Sequence, residues 1–208
     1  GDADRLIAVD GRGNVVNGDS VMAICGIDLK ERGLLNKDTV VATVMSNLGL
    51  EVALKKHGIK LLRTKVGDRY VLEEMRKEGY SLGGEQSGHI IFLDSATTGD
   101  GMISALKLLG AVIRSGKDLY KLSSIVPNFP QTLINAHVAN SKKADYVNDK
   151  VITTEIERIE KEFDGRGRVV IRPSGTEPLV RVMVEGDNEG ETKKEAEGLA
   201  ALIEKRLS

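Results

Sequence analysis

The chain has 208 residues, with 30 basic and 31 acidic side chains and a formal net charge of −1. This balance gives no bulk field for nucleic acid or a membrane surface, so neither is expected as a partner. Aromatic residues make up 3% and Trp is absent, which argues against a stacking platform for single-stranded nucleic acid. The single Cys25 is expected to be a buried thiol. No bilayer-length apolar run and no secretory pattern occur, and we predict a cytoplasmic protein.

Strands alternate with helices from the start of the chain to a pair of prolines. Residues 6–16 are typical of a β-hairpin, and Asp19 or Ser20 is predicted to cap a helix that runs to about Arg32. Strands are predicted at 39–44, 59–63 and 90–93, and helices at 47–57, 68–77 and 99–114. The last of these helices is apolar almost all round, so we expect it to be sandwiched between other elements. The alternation predicts an α/β domain with largely parallel strands.

Pro127 and Pro130 interrupt both helix and sheet and suit an interdomain linker. After them the pattern becomes strand 132–138, a helix with one apolar face over 152–163, strands 168–172 and 179–185, and a last helix with an apolar stripe over 196–207. That order is β-α-β-β-α. The sequence therefore predicts a mixed α/β domain followed by a small α+β domain.

Residues 172–178 read Arg-Pro-Ser-Gly-Thr-Glu-Pro between two strands. Hydroxyl groups, backbone N–H groups around a glycine and guanidinium groups can together bind a phosphate dianion. The predicted phosphate-binding residues are Arg172, Ser174, Gly175, Thr176 and Arg181. A proline-ordered hairpin turn, whose Ser and Thr bind local backbone, explains the same pattern.

Residues 83–89 read Gly-Gly-Glu-Gln-Ser-Gly-His. The glycines let the backbone approach a ligand closely, and Glu85 and Ser87 point the same way if the stretch is extended, where they could bind sugar hydroxyls. A helix-to-strand turn with a solvated Glu85 is the alternative. A lone histidine such as His89 is more often structural than an acid or base. Lys65 follows a strand end, where ligands of α/β proteins collect, although such lysines are usually solvated.

Asp2 and Asp4 alternate with Ala3 at the start of the chain. Alternating carboxylates supply the oxygen ligands that Mg²⁺ prefers, but a frayed acidic terminus has the same composition.

The three segments together, in this order, resemble the metal loop, the sugar-recognition loop and the phosphate-binding loop of the α-D-phosphohexomutases. Gln86 and the run Thr-Thr-Gly-Asp-Gly at 97–101 are most similar to the bacterial phosphoglucosamine mutase branch. The phosphomannomutase/phosphoglucomutase branch is the alternative within the family. Outside it, a non-catalytic phosphosugar-binding module and a structural domain that uses the loops as turns remain as alternatives.

The resemblance implies an enzyme of four domains around a cleft. Residues 1–16 would be the tail of the second domain, 17–127 the third and 128–208 the fourth. The phosphoserine of the family lies in the first domain, and the first Asp of the family's metal loop would precede Gly1. A natural start inside a metal motif is implausible, so we expect the C-terminal part of a mutase, separated from its N-terminal half and inactive alone. A homodimer is compatible with the full-length enzyme.

The resemblance also implies roles for the residues at these loops. The enzyme would bind a phosphosugar and move a phosphoryl group between its two ends with Mg²⁺, which this fragment alone would hold weakly or not at all. The implied roles are metal binding by Asp2 and Asp4, a position beside the phosphoserine for Arg5, substrate contacts for Lys65, Glu85, Ser87 and His89, and phosphate binding by Arg172, Ser174, Gly175, Thr176 and Arg181.

Overall fold

The structure, a computed structural model, describes residues 1–207. The chain forms two compact units, with the boundary between Asn128 and Phe129. The expected mixture of helices and sheets is confirmed in both. Within residues 1–207 every helix is too short or too polar to cross a bilayer.

The first unit begins with a short hairpin and continues with alternating strands and helices. The hairpin pairs β1 (Ala8–Val9) with β2 (Val15–Val16). The following elements are α1 (Gly18–Glu31), β3 (Thr39–Thr43), α2 (Leu48–Lys56), β4 (Lys60–Thr64), α3 (Asp68–Glu78), β5 (Leu82–Gly84), β6 (Ile90–Phe92), α4 (Gly101–Ser115) and α5 (Leu119–Ser123). Cys25 lies in the core of this unit, as expected, and burial raises the pKa of its thiol to about 12.

Four of these strands form one sheet in the order β4-β3-β5-β6. β3 pairs in parallel with β4 and β5, whereas β6 is antiparallel to β5. The central strand β5 was not predicted, because two of its three residues are glycines, which weaken a strand pattern. Packing requires this composition: a Cβ on Gly83 would lie 2.6 Å from the Met75 sulfur and 2.8 Å from the Val41 carbonyl oxygen.

The prediction that α4 is sandwiched was wrong. Its buried residues are Gly101, Ser104, Leu108 and Ala111. The opposite face is exposed and carries Met102, Leu106, Leu109 and Ile113, which are 74%, 68%, 56% and 78% exposed. These four positions are spaced i, i+4, i+7 and i+11, so they form one stripe on the helix. The composition was apolar all round, but only the face with small residues packs closely against the unit.

The predicted cap of α1 was also wrong. Asn17, rather than Asp19 or Ser20, has the extended backbone of an N-cap, and its side chain accepts a hydrogen bond from the Ser20 N–H. Asp19 lies within the first turn and is 1% exposed. The cap of α4 is Asp100, whose side chain accepts a hydrogen bond from the Ile103 N–H.

The second unit has the predicted β-α-β-β-α order. Its elements are β7 (Gln131–His137), α6 (Lys150–Phe163), β8 (Gly167–Pro173), β9 (Leu179–Gly186) and α7 (Glu189–Leu207). The sheet order is β7-β9-β8, with both pairings antiparallel. Apolar side chains of both helices, among them Ile152, Phe163 and Ile203, pack with the alternate valines of β9 into one core.

A buried ion pair ties two strands of this sheet together. Glu185 is fully buried, and its carboxylate accepts hydrogen bonds from Arg168 at 2.5 Å and from Gln131 at 2.9 Å. We expect Glu185→Ala to lower the free energy of unfolding of this unit by about 3–5 kcal/mol, because it leaves the Arg168 guanidinium, which is largely shielded from water, without this carboxylate. Asp187→Ala, which breaks only the exposed pair with Arg166, should cost less than about 1 kcal/mol. Denaturant titrations with equal losses for both variants would contradict this expectation.

Candidate functional site

The acidic segment at the start of the chain is sharply bent. Ala3 has φ 59°, in the left-handed region that non-glycine residues seldom adopt. Its carbonyl oxygen accepts a hydrogen bond of 2.9 Å from the N–H of Gly101, at the first residue of α4. A side chain at Gly101 would collide with the backbone here, since its Cβ would lie 2.4 Å from the Arg5 carbonyl oxygen. The bend at Ala3 is thus held in place by the N-terminal end of α4.

His89 lies beneath this segment and is 5% exposed. Its Nε2 accepts a hydrogen bond of 3.1 Å from the Gly99 N–H, so the ring proton is on Nδ1, which donates to Asp4 Oδ2 at 3.0 Å. This hydrogen bond is the main reason why the pKa of Asp4 is lowered, and the nearby Asp2 side chain lowers it further. Both ring nitrogens are therefore engaged. The geometry favours a structural His89 that holds Asp4, rather than a substrate contact.

Asp2 and Asp4 fit part of a magnesium site. Carboxylate oxygens are the ligands that this ion prefers, and the hydrogen bond from His89 fixes the orientation of one of them. Within residues 1–207, however, no group of three or more His, Cys, Asp or Glu side chains could hold a metal ion. Any octahedral site built on these two carboxylates needs further ligands.

A cavity of about 320 Å³ lies at the carboxyl end of the parallel strands. Arg5, Glu85 and Ser87, three of the residues predicted from the sequence, line it. The complete lining is Arg5, Thr43, Met45, Val66, Glu85, Gln86 and Ser87. Lys65 adjoins the lining through its neighbour Val66, and its ammonium lies 6.0 Å from the centre of the Tyr70 ring. The structure thus brings the start of the chain and the predicted sugar loop to one cavity.

Thr43 and Met45 were not singled out from the sequence. Thr43 is the last residue of β3 and Met45 follows the strand, and the carboxyl ends of parallel strands are where α/β proteins bind ligands. That topological signal was available once β3 was predicted. The two side chains themselves carry no distinctive pattern.

In the second unit, strand pairing sets two arginines side by side. Arg172 of β8 lies directly opposite Arg181 of β9. Like charges in directly opposed positions destabilise a sheet unless an anion compensates them. Arg181 bonds the Glu177 carboxylate at 3.1 Å. The Arg172 side chain has no hydrogen-bond or ion-pair partner in the part of the chain that the structure describes. This pair is therefore suited to an anion.

The loop between β8 and β9 is braced from two sides. The Ser174 hydroxyl accepts a hydrogen bond of 3.1 Å from the Glu177 N–H, as in the turn that the sequence left open as an alternative. Lys143, which the sequence did not indicate, donates to the carbonyl oxygens of Ser174 and Glu177. Gly175 and Thr176 at the tip are exposed, and a Cβ on Gly175 would meet nothing within 4 Å. The tip is open to a ligand, whereas the base of the loop is fixed.

Comparison with known proteins gives two family matches. The family model described as "Phosphoglucomutase/phosphomannomutase, alpha/beta/alpha domain III" matches residues 17–129. The model described as "Phosphoglucomutase/phosphomannomutase, C-terminal domain" matches residues 133–202.

Similar proteins extend this likeness over the whole chain. A phosphoglucosamine mutase of Caldanaerobacter subterraneus subsp. tengcongensis is 62% identical over 208 residues, which are 100% of this chain and 46% of that protein. A phosphoglucosamine mutase of Clostridium acetobutylicum has the same identity and coverage. The chain thus spans about half the length of the curated relatives it matches.

Solved structures share the fold. The crystal structure of Aspergillus fumigatus N-acetylphosphoglucosamine mutase in complex with GlcNAc-6P and magnesium has a TM-score of 0.75 and 20% identity, over 98% of this chain and 50% of that one. The resemblance drawn from the three loops is confirmed by the family matches and by the relatives. The chain belongs to the phosphoglucomutase/phosphomannomutase family and contains its α/β/α domain III and its C-terminal domain.

Proposed function

We propose that this chain supplies the sugar-binding and phosphate-binding parts of a phosphoglucosamine mutase, which interconverts glucosamine 6-phosphate and glucosamine 1-phosphate. The relatives of about 60% identity carry that name. The structural observation that carries the proposal is the pair of arginines opposed across β8 and β9, one of them without a partner in residues 1–207.

The second unit would hold the phosphate that is not being transferred. Arg172 and Arg181 provide guanidinium donors, and the exposed backbone of Gly175 and Thr176 can add N–H groups. Binding energy at this remote phosphate orients the reacting end of the sugar, so it contributes to the rate as well as to the affinity. Ser174 would serve both the turn and the phosphate, since its hydroxyl already accepts a hydrogen bond from the Glu177 N–H within the turn.

The first unit would bind the sugar and the metal. Glu85 and Ser87, with Lys65 nearby, offer groups to sugar hydroxyls at the cavity, and Arg5 offers a cation beside them. Asp2 and Asp4 would hold Mg²⁺, and His89 keeps the Asp4 carboxylate in one orientation. When bound, Mg²⁺ would stabilise negative charge at the phosphoryl group.

The test is a titration of the 208-residue chain followed by amide NMR shifts. Inorganic phosphate should move only the signals of residues 172–181. Glucosamine 6-phosphate should move these signals and also those of 84–88. Absence of any shift at millimolar ligand would overturn the proposal.

Binding of Mg²⁺ to this chain should be weak. Two carboxylates would leave most of the octahedral coordination shell to water. Mg²⁺ gives up its bound water reluctantly when the protein site has an imperfect geometry. We expect the amide signals of Asp2–Arg5 to shift only at millimolar Mg²⁺ or above. The variant with both Asp2→Asn and Asp4→Asn should lose even that response, whereas saturation at micromolar Mg²⁺ would contradict the expectation.

A further inference from the structure

Asp19 is a buried carboxylate that lies outside the lining of the proposed sugar cavity. Its Oδ2 accepts a hydrogen bond of 2.8 Å from the Asn47 N–H. Its Oδ1 is enclosed and has no donor of normal geometry within residues 1–207. Burial raises the pKa of Asp19, although the hydrogen bond from the Asn47 N–H and the positive charge of Arg63 act in the opposite direction. A carboxyl group that is costly to bury needs an explanation other than stability.

The residue before Asp19 touches the sugar loop directly. The Gly18 N–H donates to the Gln86 carbonyl oxygen at 3.0 Å. The approach is so close that a Cβ on Gly18 would lie 2.1 Å from the Glu85 carbonyl oxygen and 2.8 Å from the Gly88 nitrogen. The first turn of α1 therefore forms the support of residues 85–88, which make up one wall of the cavity.

The other contacts of Asp19 lead to the opposite wall. The Asn47 N–H, its hydrogen-bond donor, ends the segment 43–47, of which Thr43 and Met45 line the cavity. That segment is closed by a hydrogen bond from the Ser46 N–H to the Thr43 carbonyl oxygen. Arg63 of β4 donates to the Ser46 carbonyl oxygen at 2.7 Å. Asp19 thus bonds the end of one segment of the cavity lining, and its neighbour Gly18 contacts the other.

We propose that Asp19 is a positioning residue for the sugar cavity: its carboxylate fixes segment 43–47 to the first turn of α1, on which segment 85–88 rests, and so helps to orient Glu85 and Ser87. It does not touch the sugar but acts through the Asn47 N–H on one side and through its neighbour Gly18, which contacts Gln86, on the other. The expected effect on sugar binding rests on the proposed function, whereas the structural link that Asp19 provides between the two segments does not.

The experiment compares Asp19→Asn with Asp28→Asn in the 208-residue chain. Asparagine keeps an oxygen for the Asn47 N–H but removes the negative charge and puts an NH₂ group in place of the enclosed Oδ1. Asp28 is the matched control, because it lies on the same helix and bonds Arg114 at 2.7 Å, away from the cavity lining. Amide shifts and hydrogen exchange report on the structure of segments 43–47 and 85–88. Titrations measure the affinities for glucosamine 6-phosphate and inorganic phosphate.

Asp19→Asn should shift the amide signals of 85–88, speed their hydrogen exchange and weaken the binding of glucosamine 6-phosphate about tenfold, because the hydrogen bond from the Asn47 N–H loses its charged acceptor. The affinity for inorganic phosphate, followed at the signals of 172–181, should be the same as in wild type. Asp28→Asn should leave the signals of both segments and both affinities unchanged. A stability loss in Asp19→Asn with unchanged signals at 85–88 would overturn the proposal.

Two outcomes separate this inference from the proposed function. If wild type fails to bind glucosamine 6-phosphate while Asp19→Asn still disturbs 85–88, the proposed function fails and the holding role stands. If Asp19→Asn does not fold, Ser46→Ala gives the same readout, since it removes a group beside Asp19 on one wall. A shift at 85–88 on the other wall supports coupling through Asp19, and unchanged signals there overturn it.

Discussion

Residues 1–208, produced as a separate polypeptide, should not interconvert glucosamine 6-phosphate and glucosamine 1-phosphate. The resemblance implies a phosphoserine nucleophile in a first domain, whereas this chain matches domain III and the C-terminal domain. The serines at its predicted loops lie in other settings, since the Ser174 hydroxyl accepts a hydrogen bond from the Glu177 N–H and Ser87 lines the cavity proposed to bind the sugar. Loss of a covalent nucleophile commonly costs roughly 10⁶-fold in rate.

Phosphorus NMR of the two sugar phosphates, with Mg²⁺ and a trace of glucose 1,6-bisphosphate, measures this directly. A full-length relative serves as the positive control. Steady turnover by the purified chain would contradict the prediction. In that case Ser87→Ala and Ser174→Ala would show whether a serine of this chain takes over the phosphoryl group.

The order of the elements and the predicted loops could be read from the sequence because both depend on local patterns. Alternation of strands with helices identified the two kinds of unit, and Arg172 and Arg181 stood out beside a loop of hydroxyls and glycine. Their direct opposition could not be read, since it depends on the register of β8 and β9. Lys143 braces the same loop from a distant part of the chain, and nothing in its local sequence marks it.

The wrong predictions for α4 and for the cap of α1 also have specific structural causes. Met102 and Ile113 of α4 are apolar but exposed, because composition alone does not tell which stripe of a helix finds a neighbour. Asp19 was predicted as a cap because its side chain suits one. Asn17 takes that position, and Asp19 is left inside the fold, where it accepts a hydrogen bond from the Asn47 N–H, a tertiary contact that local sequence does not show.

Replacement of Arg172 by lysine should weaken phosphate binding about tenfold to a hundredfold, although the charge is unchanged. A lysine ammonium is a point charge that cannot reproduce the two parallel donors of a guanidinium. Loss of one hydrogen bond to a charged group costs about 1.5–3 kcal/mol, which gives that range of affinity. Binding by wild type should also weaken as salt is added, since its contacts are charge-assisted and the site is partly exposed.

Arg166→Lys is the matched control, because Arg166 lies just before β8 and pairs with Asp187 in an exposed position. It should leave the phosphate affinity unchanged, with the shifts at 172–181 intact. If the loop were only a turn, Arg172→Lys would behave like Arg166→Lys. Ser174→Ala would then lower the free energy of unfolding by only about 1 kcal/mol through its bond to the Glu177 N–H. Titration of all three variants with inorganic phosphate decides between the two, because only an anion site makes Arg172→Lys differ from Arg166→Lys.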